Sequence, residues 1–321
     1  MRYQLSRRFS AVAFKWACFW DVKALKPGNV SLSSPGHNMT AKQFLLSSQL
    51  SANSLFNSNF SFGKKIEIAV GDSVKATGCN TNLGIILLCT PIIQALQKFK
   101  MYEKEIELKF FKEGKFRNLV QRVLADINLE ETEAVFRAIK YAQPGGLGKS
   151  QKLDVSETPT QTLMVAMDFA KKRDFIAKQY VCGFEDIFKQ PMLESVISNY
   201  EENGNKVPAF LKMNFSSFVQ NLYMFWLASN EDTHICRKFG EKVSNSVMKE
   251  AQNLIGMENG LQNDVLKVKN GKLFTTDRKR LRDLDCFLKK RGINPGTTAD
   301  LTVCTLFLIA LQIPGLVNVR N

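Results

Sequence analysis

Five short loops, four of them rich in glycine or asparagine, are the parts of the sequence best suited to chemistry. Glycine permits positive φ angles and close backbone approach, and a helix N-terminus presents free N–H groups to anions. With Lys26, Arg237 and Lys238 in or beside them, such loops could bind a polyphosphate. Any one loop taken alone is more simply explained as a helix cap or a turn. The loops are residues 26–30 (KPGNV), 78–84 (GCNTNLG), 144–148 (PGGLG), 232–238 (DTHICRK) and 294–300 (NPGTTAD).

Carboxylates accompany these unusual segments. Their side chains can stabilise the positive charge that develops on a ribose ring when an N-glycosidic bond breaks, or can deprotonate an attacking hydroxyl. They can also give one or two ligands to magnesium bound to ATP. The alternative for Asp174 is a surface ion pair with Lys178, and for Asp300 it is compensation of the helix dipole in the first turn of the last helix. The carboxylates in question are Asp21, Asp154, Asp174, Asp232 and Asp300.

Imidazole and basic side chains add to the same chemistry. His234 could act as an acid toward departing adenine, or it could simply stabilise the start of a helix. Arg173, Arg237 and Lys238 could bind phosphate, or they could be solvated surface charges.

The charge of the chain also favours anionic partners. Lys and Arg number 44 against 30 Asp and Glu, which gives a formal net charge of +14. Such a charge suits nucleic acid, acidic membranes or phosphorylated small molecules, and it could also serve solubility alone. A basic helical nucleic-acid-binding protein is therefore an alternative. Against it, most aromatic residues are Phe at core-like spacing, and no nucleic-acid-binding motif or long basic run is present.

Cysteine usage and hydropathy indicate a cytoplasmic protein without a membrane anchor. The seven cysteines form no C-x-x-C pair, and only His37 and His234 could add imidazole ligands, which argues against disulfides and zinc. The longest apolar stretch, residues 83–96, is interrupted and too short to span a bilayer. The acid-free segment before Asp21 could be a transit peptide, but its apolar spacing continues into the first motif and favours a core helix.

Helical periodicity dominates the sequence and predicts an all-α fold. We expect a single domain over residues 1–321, with roughly ten helices and no sheet larger than a minor hairpin. Variable insertions are expected near residues 200–207 and 256–277. Predicted helices cover residues 5–23, 40–55, 64–76, a strongly apolar segment after Asn82, 103–125, 128–142, 160–189, 208–229, 234–255, 281–291 and 298–311.

Six segments together resemble the triphosphoribosyl-dephospho-CoA synthase family. They follow the order of that family and span residues 17–308, nearly the whole chain. Asp21 stands where Glu is expected, and Gln143 where Asn is common. The segments are residues 17–30 (ACFWDV…KPGNV), 80–85 (NTNLGI), 144–155 (PGGLG…DV), 173–180 (RDFIAKQY), 234–240 (HICRKFG) and 294–302 (NPGTTADLT).

The resemblance implies transfer of the 5-triphosphoribosyl group of ATP to the 2′-hydroxyl of 3′-dephospho-CoA, with release of adenine. In the family, the product is the precursor of a prosthetic group carried by an acyl carrier protein. A related nucleotide hydrolase, or a ribosyl transferase with a different acceptor, is the alternative. No stable nucleic-acid partner is expected.

We expect the loops to meet in a single cleft with distinct roles for their residues. Asp21, Asp174, Asp300 and His234 are the catalytic candidates, and Asp174 and Asp300 are also candidate Mg²⁺ ligands. The candidates for nucleotide binding are Lys26, Gly28, Asn29, Asn80, Asn82, Gly145, Gly146, Arg173, Arg237, Lys238 and Thr297.

Overall fold

A computed structural model describes residues 2–148, 153–256 and 278–318 of the chain. Most of these residues are helical, which confirms the all-α prediction. Within the described ranges the only sheet pairs β1 (Arg2–Gln4) with β2 (Glu105–Glu107) in antiparallel fashion, with Tyr3 opposite Ile106. Nearly all of the predicted 256–277 insertion lies outside the described residues.

The helices divide between two compact units. Unit 1 comprises Met1–Trp16 and Lys42–Phe188, and unit 2 comprises Ala17–Ala41 and Lys189–Asn321, so the boundary falls within α1. The prediction of one domain over residues 1–321 stays a prediction.

The helix bounds follow the chain. The first nine are α1 (Arg7–Lys23), α2 (Ala41–Leu55), α3 (Phe62–Thr77), α4 (Leu83–Lys98), α5 (Lys109–Lys112), α6 (Lys115–Ala125), α7 (Leu129–Ala142), α8 (Leu163–Ala170) and α9 (Phe175–Val181). They are followed by α10 (Glu185–Phe188), α11 (Pro191–Glu202), α12 (Ala209–Met213), α13 (Phe215–Ser229), α14 (Thr233–Phe239), α15 (Glu241–Ile255), α16 (Arg278–Lys290) and α17 (Gly296–Gln312).

The described chain contains more helices than the roughly ten expected, because several predicted long helices are divided. The prediction of one helix over residues 160–189 is wrong, since α8, α9 and α10 share that stretch. Residues 103–125 likewise hold β2, α5 and α6. Asn214 separates α12 from α13, and its side chain accepts a hydrogen bond from Ser217 N at 3.1 Å as the N-cap of α13. Gly240 separates α14 from α15 at a φ of 87°.

Two helix starts in unit 1 share one carboxylate. The sequence Asn-Leu-Glu-Glu at residues 128–131 predicts a capping box, and Asn128 and Glu131 form one at the start of α7. Glu131 Oε1 also accepts a hydrogen bond from Phe62 N at 2.9 Å, at the start of α3. The starts of α3 and α7 pack closely at Gly63, where an added Cβ would lie 2.6 Å from the Glu131 carbonyl oxygen. A single side chain thus serves the first free amides of two packed helices.

The apolar helix α4 forms much of the core of unit 1. A helix that is hydrophobic on all sides must be surrounded by protein, and thirteen of the sixteen α4 residues are buried. Pro91 lies inside this helix and has no N–H to donate to the carbonyl of Leu87. Tyr180 Oη donates to that carbonyl instead, at 2.7 Å. The helix therefore tolerates its proline because a buried tyrosine satisfies the freed acceptor.

The core of unit 2 is built around α13 and α17, which are also strongly apolar. Trp226 Nε1 donates to Thr305 Oγ1 at 3.2 Å between these two helices. Residues 200–207 contain the end of α11 and a turn in which Gly204 and Asn205 both have positive φ. The same two helices hold loop segments, because Tyr223 in α13 donates to the Pro27 carbonyl and Thr298 in α17 donates to Asp232.

Candidate active site

The loop after α1 carries the first motif, residues 26–30. Asn29 N donates to the carbonyl of Lys26 at 3.0 Å, and Gly28 has a φ of 77°. A Cβ at Gly28 would lie 2.8 Å from Pro295 Cδ and 2.9 Å from Leu288 Cδ1. Only glycine fits here, because the backbone conformation and the close packing both exclude a side chain. The first motif therefore packs directly against the segment that leads into the last motif.

Lys26 is completely buried in unit 2 and contacts protein groups. Its Nζ lies 2.8 Å from Asp21 Oδ1 and 2.7 Å from Asn29 Oδ1, and 5.6 Å from the centre of the Tyr223 ring. Burial raises the pKa of Asp21, and the charge and hydrogen bond of Lys26 oppose that rise. This ammonium group has no exposed surface. The predicted contact between Lys26 and phosphate stays a prediction.

An amide bridge joins the first and last motifs. Asn29 Nδ2 donates to Asn294 Oδ1 at 2.9 Å, across 265 positions of sequence. Tyr223 Oη donates to the carbonyl of Pro27 at 2.7 Å and fixes the loop from its other side. Both side-chain contacts are buried, where a well-satisfied polar network is rigid and unique in its arrangement.

Asp232 fastens the fourth motif to the last one. Its Oδ1 caps α14 by accepting from Ile235 N at 3.0 Å, and its Oδ2 accepts from Thr298 N at 2.7 Å and Thr298 Oγ1 at 2.8 Å. Thr233 Oγ1 lies 3.1 Å from Thr297 Oγ1. Burial raises the pKa of Asp232, and the hydrogen bonds from Thr298 and Ile235 oppose the rise. These contacts give Asp232 a clear structural role.

His234 is half-buried beside the start of α17. Its backbone N donates to Thr297 Oγ1 at 3.2 Å, and its ring packs against Gly296. Burial, followed by the charges of Lys238 and Arg237, lowers the pKa of His234 to about 3. A neutral imidazole can donate or accept a hydrogen bond, and the role of His234 as an acid toward departing adenine stays a prediction.

Asp300 and Asp21 are far apart in sequence, but both affect the pKa of the same buried cysteine. Helix α17 begins at Gly296, so Asp300 lies in its second turn; the expectation of a first-turn position is wrong because the helix starts earlier than predicted. Burial raises the pKa of the Cys18 thiol, and the negative charges of Asp21 and Asp300 raise it further. Both carboxylates are therefore close enough to Cys18 to affect its titration.

Unit 2 thus brings together most of its predicted site residues. Direct hydrogen bonds join the motifs at residues 26–30, 232–238 and 294–300. The charges of Lys238 and Arg237 contribute to the lowered pKa of His234. The residues gathered in this way are Asp21, Lys26, Gly28, Asn29, His234, Arg237, Lys238, Thr297 and Asp300. Tyr223 was not anticipated, since it is one aromatic among many in an apolar helix.

In unit 1, Asn80 and Asn82 organise the start of α4. Asn80 Oδ1 accepts from Leu83 N at 3.2 Å, and Asn82 Nδ2 donates to Ser51 Oγ at 3.3 Å. Between them, Thr81 Oγ1 lies 2.5 Å from Ser47 Oγ. These contacts tie the second motif to α2.

Asp174 begins a helix and does not lie within one. The prediction that it belongs to a long helix is wrong, because α8 ends at Ala170 and α9 starts at Phe175. Asp174 Oδ1 accepts from Ile176 N at 2.9 Å and from Ala177 N at 3.1 Å, as an N-cap does. Arg173 is exposed beside it. Lys178, the alternative partner considered from the sequence, pairs with Asp186 at 2.9 Å.

The third motif is irregular, as the sequence predicts. It follows the C-cap of α7 at Gln143, which has a φ of 45°. Gly145 and Gly146 form a turn, and Gly146 has a φ of 72°. These glycines, the two asparagines of the second motif, Arg173 and Asp174 all belong to unit 1. The prediction that all five motifs share one cleft stays a prediction.

The described part of the chain has neither a metal-binding cluster nor a helix that could span a membrane. There, no group of three or more His, Cys, Asp or Glu side chains could hold a metal ion, and all seven cysteines are free thiols. Magnesium bound to ATP needs fewer protein ligands than such a group, so the prediction for Asp174 and Asp300 stays a prediction. Among the same residues, no helix has both the length and the apolar character needed to cross a bilayer.

The described chain is mostly helical and carries its candidate site on and beside glycine-containing loops, and comparison with known proteins shows its family. The family model for ATP:dephospho-CoA triphosphoribosyl transferase matches residues 7–316, so the chain belongs to that family. It is accordingly a transferase that acts on ATP and dephospho-CoA. This confirms the family and the activity inferred from the sequence motifs.

Solved structures support the fold. A crystal structure of a protein from Archaeoglobus fulgidus, to which triphosphoribosyl-dephospho-CoA synthase activity has been ascribed, aligns with a TM-score of 0.56 and 18% sequence identity. The alignment covers 86% of this chain and 100% of that one. At this identity the likeness concerns the fold alone. No curated protein matches the sequence.

Proposed function

We propose that this chain transfers the 5-triphosphoribosyl group of ATP to the 2′-hydroxyl of 3′-dephospho-CoA in the cytoplasm. The reaction breaks the bond between the ribose anomeric carbon and adenine and forms a bond from that carbon to the acceptor oxygen. The hydroxyl proton leaves the acceptor, and adenine departs with a proton. The product would serve prosthetic-group biosynthesis for an acyl carrier protein. Family membership over residues 7–316 supports this assignment.

One observation carries the assignment of the site: buried contacts join Asp21, through Lys26 and Asn29, to Asn294, just before the helix that carries Asp300. Positive charge develops on the ribose as adenine departs, and nearby carboxylates stabilise it. Asp21 is 2% exposed and paired with Lys26, whereas Asp300 is partly exposed. We therefore assign contact with the ribose or the acceptor hydroxyl to Asp300, and a longer-range electrostatic role to Asp21.

The basic residues divide into two roles. Arg237 and Lys238 lie at the end of α14 with partly or fully exposed side chains, which suits binding of the triphosphate. Lys26 instead orients Asp21 and Asn29, since all its observed contacts are with protein groups. Neutral His234 and Thr297 would donate or accept hydrogen bonds at the nucleotide.

The unit 1 residues are assigned to the same substrates. The exposed guanidinium of Arg173 suits bidentate binding of phosphate. Asn80, Asn82, Gly145 and Gly146 would bind the nucleotide through amide and backbone groups.

Magnesium would accompany ATP. Asp174 and Asp300 present the hard oxygen atoms that Mg²⁺ prefers, although Asp174 Oδ1 already accepts two backbone N–H groups. An ion bound to either carboxylate would neutralise part of the triphosphate charge.

Substitution of the two aspartates tests this proposal. Asp174→Asn and Asp300→Asn should each lower turnover by about a hundredfold, the scale of losing a positioned catalytic group. Asp174→Asn should fold normally because Asn caps helices as well as Asp does. Matched controls are Asp168→Asn in unit 1, an exposed residue that pairs with Lys171, and Asp283→Asn on the exposed side of α16.

The assay combines adenine release with mass spectrometry of the acceptor, using ATP, Mg²⁺ and dephospho-CoA. Circular dichroism and melting temperature report folding. Near-normal turnover of either variant would show that its aspartate has a structural role and no catalytic one. Adenine release without a triphosphoribosylated dephospho-CoA would indicate a hydrolase instead.

A further inference from the structure

Asp285 is a buried carboxylate in α16 that the motifs do not include. It is 3% exposed, and its Oδ1 accepts a hydrogen bond from Gly28 N at 2.9 Å, across 257 positions of sequence. Gly28 is the turn residue between Lys26 and Asn29. A hydrogen bond from a backbone amide to a carboxylate is stronger than one to a neutral acceptor. Asp285 thus holds the centre of the first motif loop.

A second set of contacts holds the other side of the same segment. Asp285 Oδ2 accepts from Ser34 Oγ at 2.6 Å and from Lys289 Nζ at 3.1 Å. Lys289 Nζ also donates to the Ser34 carbonyl at 2.7 Å and lies 2.6 Å from Ser34 Oγ. A Cβ at Gly36 would lie 3.1 Å from Lys289 Cε, so the chain passes close to this side chain.

The carboxylate is matched to its donors. A buried charge is tolerated when it is paired and its remaining acceptor sites are hydrogen-bonded, and Asp285 meets both conditions. Two of its partners, Gly28 and Ser34, lie on either side of the 29–33 stretch, and the third, Lys289, lies one turn along α16 from Asp285. The segment that begins with Lys26 is therefore fixed to α16 at two points.

We propose that Asp285, oriented by Lys289, is a positioning residue that sets the geometry of the 26–30 loop for catalysis. Asp285 acts through Gly28. On one side of this glycine Lys26 pairs with Asp21, and on the other side Asn29 is hydrogen-bonded to Lys26 and Asn294. This inference rests on the proposed function, because it assumes that Asp21 and Asn29 belong to the reacting site.

Asp285→Asn tests the inference while keeping the side chain's size. We expect kcat to fall by tenfold or more, with a smaller change in the KM for dephospho-CoA, since the loop geometry and not the acceptor contact is altered. Lys289→Met should have a similar effect, and the double variant should lose less than the product of the two single losses, because the pair acts as a unit.

The control is Leu281→Ala in the same helix. Leu281 is buried in α16, and its truncation should lower the melting temperature while leaving kcat nearly unchanged. If Asp285→Asn kept a normal kcat, or if Leu281→Ala lost as much kcat at an equal loss of stability, the positioning role would be refuted. Should Asp285→Asn fail to fold, Ser34→Ala carries the test: kcat about threefold lower supports the role, and an unchanged kcat overturns it.

Asp21→Asn separates this inference from the proposed function. Loss of turnover in Asp21→Asn together with normal turnover in Asp285→Asn would reject the positioning role alone. Normal turnover in Asp21→Asn would reject the proposed site, and with it the basis of the inference.

Discussion

Removal of the buried ammonium group of Lys26 is the most direct test of the network at the centre of unit 2. Lys26→Met keeps most of the aliphatic chain but leaves Asp21 buried without its counter-charge. Lys26 is completely buried and Asp21 is 2% exposed, so solvent cannot replace the lost partner. The variant should therefore be much less stable than a surface lysine substitution would be.

The size of the effect follows from the contacts. Breaking a buried ion pair by removing one member costs about 3–5 kcal/mol, because the remaining charge is uncompensated. Replacing both members by neutral groups is far less costly, so Asp21→Asn combined with Lys26→Met should cost about 1–2 kcal/mol. The two single losses together should then exceed the loss of the double variant by at least about 4 kcal/mol, more than the usual range for contacting residues.

The measurement is urea unfolding followed by circular dichroism, for the two single variants and the double variant. Its pH dependence gives a second readout. The pKa of Asp21 is already raised by burial, and without Lys26 it loses the two contributions that lower it. A raised carboxyl pKa makes the folded state relatively more stable as pH falls, so the deficit of Lys26→Met should shrink between pH 8 and pH 5.

Two results would refute this reasoning. One is a loss of less than about 1 kcal/mol in Lys26→Met, the range of an exposed ion pair. The other is simple additivity of the single variants, which would show that Asp21 and Lys26 do not depend on each other.

Two further predictions concern the same unit. Gly28→Ala should lower the free energy of unfolding by about 2–4 kcal/mol, because left-handed backbone strain adds to overpacking against Pro295 and Leu288. The control is Gly78→Ala, where φ is 73° but the space around the glycine is open. This control should lower the free energy of unfolding by only about 1 kcal/mol. His234 has a folded pKa of about 3 against an ordinary 6.5, so its contribution to stability is present above pH 6.5 and is lost as pH falls. Unfolding at pH 7 and pH 5 should show wild type losing about 2 kcal/mol more than His234→Gln, and equal losses would contradict the lowered pKa.

The fold could be predicted from the sequence where local signals and burial agree. Helix α7 begins at its predicted capping box, and α4 follows the predicted asparagine loop, because cap chemistry and apolar periodicity mark the same boundaries. The missed breaks at Asp174 and Asn214 are also N-caps. Apolar periodicity continued across both positions, and it masked the capping signal that each residue carried.

The site was predictable only in part, for a physical reason. Motif residues such as Asn29 carry their own signal, since glycine and asparagine in a loop are unusual enough to notice. Asp285 carries none, because it sits in an ordinary amphipathic helix and its partner Gly28 is 257 positions away. Nor does sequence reveal that Lys26 is buried, because its charge suggested exposure and phosphate binding.

The carboxylate of Glu131 is an acceptor shared by the starts of α3 and α7. It accepts hydrogen bonds from Phe62 N and from Asn128 N, each of which opens a helix. Movement of this carboxylate would expose both amides to solvent deuterium at once. We therefore expect fraying of one helix to raise the exchange rate of the amide at the start of the other.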